Sequence, residues 1–491
     1  MWEGISTGFA TAFTVANVGW VLLGCLAGTV IGMLPGLGPI TAIALMIPVS
    51  YSLDPAGGLI MMAGVYYGAV FGGSTSAILI NAPGVASTVA TSFDGYPMAR
   101  AGQAGRALAI AAYASFAGGT LGAVALMIFA GYLAALALEF QSPEYSLLLL
   151  IAMTSVVVFA DRGVRVRSLV TLLIGLMLGT VGTDQLAGIP RFTLGRYDLA
   201  DGLNFVLVVM ATFALAEALR MVLLGESVPP SRVALKELVL PRALARPLIP
   251  VVGRSAVVGF LTGVLPGAGA TLASFFAYDL EKRIGNGSRE SGVAAPEAAN
   301  NAASTGSFVP LLTLGIPGSG TTAVLLGVML SYGLQPGPRL LTEQPEIFWG
   351  VIVSMYLGNL FLLALNLPLI PLLARLLNLS GTLLIPLIIA FSLIGVYLTT
   401  LNGFDLYLML GLAVLALLLR WYGFPLAPLL LGFILSGLFE ENVRRTLFIG
   451  QADYAAVLLR PTVLVLLALL VALVLVPLWQ RRRARGQEAG A

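Results

Sequence analysis

Gly28-Thr-Val-Ile-Gly32-Met-Leu-Pro35-Gly36-Leu-Gly38 returns 231 positions later as Gly259-Phe-Leu-Thr-Gly263-Val-Leu-Pro266-Gly267-Ala-Gly269. A second Pro-Gly pair follows in each copy. It reads Ala82-Pro83-Gly84-Val-Ala-Ser87-Thr88 in the first and Ile316-Pro317-Gly318-Ser319-Gly320-Thr321-Thr322 in the second, at an offset of 234. Two motifs recurring in one order at nearly one offset point to a duplicated unit of almost half the chain. Residues 1–224 and 255–480 are read as the two repeats and 225–254 as a polar connector.

The surroundings of these motifs place them in a membrane. Of 491 residues 58% are hydrophobic and 10% charged, and the mean hydropathy is +0.96; a soluble domain carries roughly 25% charged residues. No Asp, Glu, Lys or Arg occurs between Glu3 and Asp54, or from Pro55 to Phe93. Each run exceeds the ~20 residues of one helical crossing, so the chain turns inside it without a charged loop. Runs of this kind continue to Gln480, and none alternates polar and apolar residues as a membrane barrel does. The fold class is an all-α polytopic membrane protein of about 10–14 segments. The connector 225–254 holds Arg232, Lys236, Arg242, Arg246 and Arg254 against Glu226 and Glu237, and the tail 481–491 opens Arg-Arg-Arg-Ala-Arg; both are expected in the cytoplasm. Met-Trp-Glu lacks the basic start of a signal peptide, so no cleavage is expected.

Proline removes an N–H, and glycine admits angles other residues avoid. A Pro-Gly pair at membrane depth therefore leaves backbone groups that hydrocarbon does not tolerate, and the break must be buried in protein or line a wet cavity. Paired breaks in two halves are the sequence mark of a transporter's midplane site, where helix N-termini attract an anion and freed carbonyls hold a small cation. The candidate substrate- or ion-binding residues are Gly36, Gly38, Asn81, Pro83, Gly84, Ser87 and Thr88 in the first half. In the second they are Gly267, Gly269, Asn300, Asn301, Pro317, Gly318, Ser319, Gly320 and Thr321. Sodium held by backbone carbonyls near the breaks is the conceivable metal. Gly28-x3-Gly32 and Gly259-x3-Gly263 have the spacing of close-packing positions, the stronger reading for them. Glu297 to Ser307, with Asn300 and Asn301, reads as a polar segment leading into the membrane beside the site; helix capping in a solvated loop is its plainer reading. Asp405 and Glu217 lie near the ends of apolar runs and are not assigned to it.

With no histidine, a Ser-His-Asp unit, an HExxH zinc site and a histidine relay are excluded. The lone Cys25 excludes an internal disulfide or a CxxC couple. No phosphate-binding G-x4-G-K-[ST] loop occurs, and no basic cluster suggests nucleic acid. A channel or scaffold subunit without a site is one alternative, which the paired breaks disfavour. An intramembrane aspartyl protease is the other: Tyr197-Asp198 fits half its pattern, but Gly403-Phe404-Asp405 lacks the glycine before the acid.

Five blocks carry a family resemblance: Gly32-Met-Leu-Pro35-Gly36-Leu-Gly38-Pro39, Tyr66-Tyr67-Gly68-x3-Gly72-Gly73-Ser74, Asp94-Gly95-Tyr96-Pro97-Met98-Ala99, Val293-Ala-Ala-Pro296-Glu297-Ala-Ala-Asn300-Asn301 and Leu314-Gly315-Ile316-Pro317-Gly318. Together the chain resembles the large membrane subunit of the tripartite tricarboxylate transporters, the TctA family, over nearly its whole length. Ser291 before Gly292, where Glu-Gly is expected, is a small departure. The resemblance implies a bacterial inner-membrane permease working with a small TctB-like membrane subunit and a periplasmic TctC-like solute-binding protein. It further implies uptake of an organic carboxylate driven by sodium or protons, and no cofactor. Inverted repeats are the favoured arrangement.

Overall fold

The long uncharged runs fold as helices. The computed structural model describes residues 2–34, 37–81, 83–137, 139–160, 163–184, 188–224, 238, 240–265, 269–284, 287–376, 381–450 and 457–488. Pro35-Gly36, Pro266-Gly267 and most of the connector lie outside the described residues. In chain order the helices are α1 (Trp2–Ala12), α2 (Val15–Met33), α3 (Gly38–Ser50), α4 (Pro55–Ile80), α5 (Val89–Met98), α6 (Ala104–Ala137), α7 (Ser142–Phe159), α8 (Arg165–Gly179), α9 (Phe205–Val209), α10 (Ala216–Leu224), α11 (Arg242–Val264), α12 (Gly269–Ile284), α13 (Arg289–Gly306) and α14 (Phe308–Leu314). Then follow α15 (Gly320–Ser331), α16 (Pro338–Glu343), α17 (Pro345–Leu376), α18 (Gly381–Thr400), α19 (Gly403–Trp421), α20 (Ala427–Gly450) and α21 (Pro461–Glu488). Strands β1 (Gly182–Thr183) and β2 (Pro190–Arg191) pair antiparallel.

Among the described residues eight helical stretches are long and apolar enough to cross a bilayer: α2, α4, the continuous α5–α6 stretch, α7, the α9–α10 stretch, α11, α17 and α19. Shorter apolar helices are α3, α15 and the apolar parts of α18 and α21. The protein is an all-α polytopic membrane protein, and of the short helices α3 and α15 each follow a Pro-Gly pair.

Two compact units are present. One comprises Met1–Ala134 and Phe205–Leu418, the other Ala135–Asn204 and Leu419–Ala491. These spatial units differ from the sequence halves, each drawing on both. In the smaller unit α8 packs on α20 where Gly175 and Gly179 meet Leu429 and Ser436 and Gly432 meets Leu172. Its hairpin is tied down by charge: Arg444 donates to Asp184 Oδ1 and Oδ2 at 3.1 and 2.7 Å, and Arg191 Nη1 to Glu440 Oε1 at 2.8 Å. Asp198 of the protease-like pair is ion-paired to Arg196 at 3.1 Å.

The larger unit is built on glycine contact lines. A Cβ at Gly24, Gly28 or Gly32 of α2 would run into the backbone of Met61, Val65 or Ala69 of α4, and Gly68 and Gly72 of α4 meet Cys25 and Thr29 in return. In the second half Gly259 and Gly263 of α11 meet Ala299 and Ala303 of α13, and Gly306 meets Phe260. Val65 and Ala299, like Ala69 and Ala303, are 234 positions apart, so the α2–α4 contact recurs as α11–α13. Without a hydrophobic drive between helices in lipid, close backbone approach supplies the dispersion contact that holds them.

Helix α13 departs from the reading of its residues as a solvated loop. Ser288 caps it by accepting from Ser291 N at 3.1 Å, it runs through Pro296 unbroken, and Ser291 to Gly306 are all buried. Small side chains explain the burial, because serine, glycine and alanine let α13 sit among its neighbours at backbone distance.

A leucine at Gly28 or Gly68 should therefore lower stability by about 1–3 kcal/mol or more through overpacking. Leucine at Gly19, also on α2 but with nothing within 4 Å of its Cβ position, should be tolerated. Melting curves of the detergent-solubilised protein check this, and equal melting of all three variants would contradict the contact line.

Candidate functional site

The chain leaves helix α2 at Leu34 and helix α11 at Leu265 in one geometry. Leu34 is extended (φ −76°, ψ 124°) with its N–H on Ile31 O, and Leu265 is extended (φ −76°, ψ 120°) with its N–H on Thr262 O. Helix resumes at Gly38 (φ 65°) and Gly269 (φ 61°), left-handed angles that a side chain would strain. The second break also matches. Asn81 ends α4 in the left-handed region (φ 55°, ψ 29°), and Gly315, 234 positions on, ends α14 there (φ 68°, ψ 25°).

Within each half the second break lies against the helix that leads into the first. A Cβ on buried Gly84 would collide with Gly32 O, and the Cβ position of Gly38 is 3.8 Å from Gly84 O. The Cβ position of Gly318 lies 3.1 Å from Ser307 Cβ and 3.2 Å from Gly263 O. Pro317 is buried and Pro83 half-buried, whereas Asn81 is exposed. Across the halves the packing is reciprocal. The turn Ala86–Thr88 lies against α12, and α15 lies against α3. The segment after each second break thus meets the helix after the other half's first break.

The predicted hydroxyls divide by use. Thr88 Oγ1 donates to Val85 O at 2.9 Å, and Ser319 caps α15, accepting from Thr322 N at 3.2 Å while its own N–H donates to Thr322 Oγ1 at 2.8 Å. These two hydroxyls serve the backbone. Ser87 and Thr321, buried and 234 positions apart, cap no helix. Gly320 is the first residue of α15. Asn300 and Asn301, fully buried on α13, are joined by Asn301 Nδ2 donating to Asn300 Oδ1 at 2.6 Å and to Glu297 O at 3.0 Å. Asn301 Oδ1 accepts no hydrogen bond among the described residues. Glu217 is ion-paired to Arg220 at 2.7 Å, and Asp405 lies in the first turn of α19. Gly36 and Gly267 lie outside the described residues.

Sequence reasoning passed over Glu297. Its carboxylate is fully buried and accepts three hydroxyl hydrogen bonds: Thr91 to Oε1 at 2.6 Å, Ser74 to Oε2 at 2.7 Å and Ser115 to Oε2 at 2.8 Å. Among the described residues no arginine or lysine lies within 4.0 Å of it. A signal existed, since Glu297 is the one charged residue between Glu290 and Arg339. Its donors, spread over α4, α5 and α6, carry no such signal.

The sequence model of the tripartite tricarboxylate transporter TctA family matches residues 18–431. The chain belongs to this family. It is 42% identical over 493 aligned positions to an Agrobacterium vitis protein described as an uncharacterised 52.8 kDa protein in the TAR-I ttuC' 3' region, covering 98% of this chain and 97% of the relative. A second A. vitis protein, from the TAR-II ttuC' 3' region and also uncharacterised, is 44% identical over 237 positions, 47% of this chain and 98% of its own length. No solved structure matches. As a TctA protein the chain is a multi-pass membrane subunit of a transporter family, and both breaks of each half fall inside the matched span.

The two second breaks differ in room. Alanine at Gly84 meets the Gly32 carbonyl and should cost about 1–3 kcal/mol, whereas at Gly318 neighbours more than 3 Å away need give only slightly. Gly84→Ala should lower the melting temperature by several degrees and Gly318→Ala should stay close to the parent. Equal losses would show the two breaks packed alike.

Proposed function

We propose that this chain is the permease subunit of a binding-protein-dependent secondary transporter. It imports an organic di- or tricarboxylate across the bacterial inner membrane by alternating access, driven by a sodium or proton gradient. The observation that carries the reading is the matched geometry of the breaks, Leu34 with Leu265, Gly38 with Gly269 and Asn81 with Gly315, together with their reciprocal packing. Discontinuous helices meeting about a pseudo-two-fold axis are how secondary transporters expose free backbone groups to a solute. On this reading the halves 1–224 and 255–480 are inverted repeats, and the connector and C-terminal tail face the cytoplasm.

The substrate bears more than one negative charge, yet neither motif pair contains arginine or lysine. The free N–H groups at the starts of α3 and α15 offer the compensation, since a helix N-terminus attracts anions. Ser87 and Thr321 add hydroxyls that capping leaves over. A small membrane subunit and a periplasmic binding protein complete the system, the second delivering substrate from the side opposite the connector.

The test is uptake of labelled tricarboxylate into proteoliposomes that hold both membrane subunits, with the binding protein outside. Uptake should require an imposed cation gradient and should fall to background when either partner is left out. Full uptake by this chain alone would overturn the reading.

A further inference from the structure

An ionised carboxylate inside a helical membrane core is costly, by several kcal/mol even after relaxation, unless something of opposite charge meets it. Glu297 meets three hydroxyl groups, which orient dipoles toward it but do not neutralise it. Four cations on the surrounding helices are committed elsewhere. Lys282 pairs with Asp94 at 2.8 Å, Arg254 with Glu281 at 2.8 Å and Arg106 with Glu290 at 3.8 Å. Arg283 pairs with Asp279 at 2.8 Å. The phenols Tyr66 and Tyr67 on α4 pack on Phe308, stacked at 5.9 Å and tilted at 6.0 Å, and bring no positive charge.

A small cavity borders two of the hydroxyls that hold this carboxylate. Of about 10 Å³, it is lined by Ser74 and Ser115, two of the Glu297 donors, and by Thr75 and Asn366 among apolar side chains. That is room for one water-sized particle. The Asn366 amide nitrogen is engaged with Leu362 O at 2.8 Å, which leaves its oxygen as an acceptor. The oxygens lining the cavity are hydroxyl and amide, ligands a hard cation takes, and the Glu297 charge lies one hydrogen bond behind Ser74 and Ser115.

We propose that Glu297, with Ser74, Thr91 and Ser115, is the seat of the monovalent cation whose gradient drives uptake, Na⁺ entering the adjacent cavity or a proton sitting on the carboxylate itself. This rests on the gradient-driven reading above. The three hydroxyls come from α4, α5 and α6 of the first half and the carboxylate from α13 of the second, so the cation decides how tightly α13 is held across the halves. Two and a half turns after Glu297, α13 ends beside Ser307, whose side chain borders Gly318. Occupancy of the cation site thereby reaches the substrate break through one rigid helix.

Cation binding is measured without transport, so failure of the uptake reading and failure of this one are separable. Melting temperatures of the complex of this chain with its small membrane subunit are taken against Na⁺ at constant pH, with K⁺ at equal ionic strength, and against pH without Na⁺. The parent should be stabilised by one of the two cations, Na⁺ or H⁺, and that response identifies the ion. Glu297→Gln should abolish it, and Ser115→Ala, which keeps the carboxylate, should shift the half-saturating concentration about five- to tenfold. If Glu297→Gln does not fold, the Ser115→Ala shift decides. A parent that responds to neither cation, or variants that keep the parental response, would overturn the assignment.

Discussion

Hydrocarbon offers no hydrogen bonds, so each place where a membrane chain stops being helical has to be closed by protein. This constraint organises the larger unit. At the first breaks the N–H groups of Leu34 and Leu265 fold back on Ile31 O and Thr262 O; at the second break of the later half Gly315 N and Ile316 N reach Leu311 O and Pro310 O. Covering what remains requires another backbone at very short distance. Gly32 lying on Gly84 and Gly263 beside Gly318 meet that requirement, so the glycine lines of α2 and α11 serve the breaks as well as helix packing.

The same close approach makes room for a polar helix in the core. Helix α13 satisfies most of its own side chains: Ser304 donates to Asn300 O at 2.8 Å, Thr305 to Asn301 O at 3.1 Å and Asn301 to Glu297 O at 3.0 Å. A hydroxyl that returns to the carbonyl four residues back is removed from ligand chemistry at little cost to the helix. What is left over, the Glu297 carboxylate, Asn300 Nδ2 and Asn301 Oδ1, is then informative, because a buried polar group without a local partner demands one from elsewhere.

Helicity and membrane character were legible because they are properties of runs: the absence of charge over tens of residues admits few other folds. The break positions were legible for a similar reason, since Pro-Gly is a local instruction. What sequence reading missed depends on which distant residues meet. Thr88 and Ser319 read as ligands beside a break, and that Thr88 also donates to Val85 O while Ser319 caps α15 is visible only once the turn is built. The stretch from Glu297 to Ser307 reads in sequence as a polar segment leading into the membrane, with a solvated loop as the alternative; that it is a fully buried helix depends on small side chains, not apolar ones, set against a glycine face. Glu297 was quoted for its place in a motif and passed over as a site, because Ser74, Thr91 and Ser115 lie 223, 206 and 182 positions away from it in the chain.

Positions at the offset of 234 differ in side chain. Tyr66 and Tyr67 stand where the second half has Asn300 and Asn301, Ala63 stands opposite Glu297, and Ser74 opposite Phe308, all at the offset of 234. The backbone of the break is kept while side chains before it are exchanged, Ala and Tyr-Tyr for Glu and Asn-Asn in one direction and Ser for Phe in the other. Matched break geometry is what the alternating-access proposal requires of its two halves. A single carboxylate cannot be symmetric, and it is placed once, on α13, with its hydroxyl partners drawn from the opposite half. The helix that carries this charge is therefore the one element whose seating on the other half responds to whatever neutralises Glu297, and its far end borders the break at Gly318.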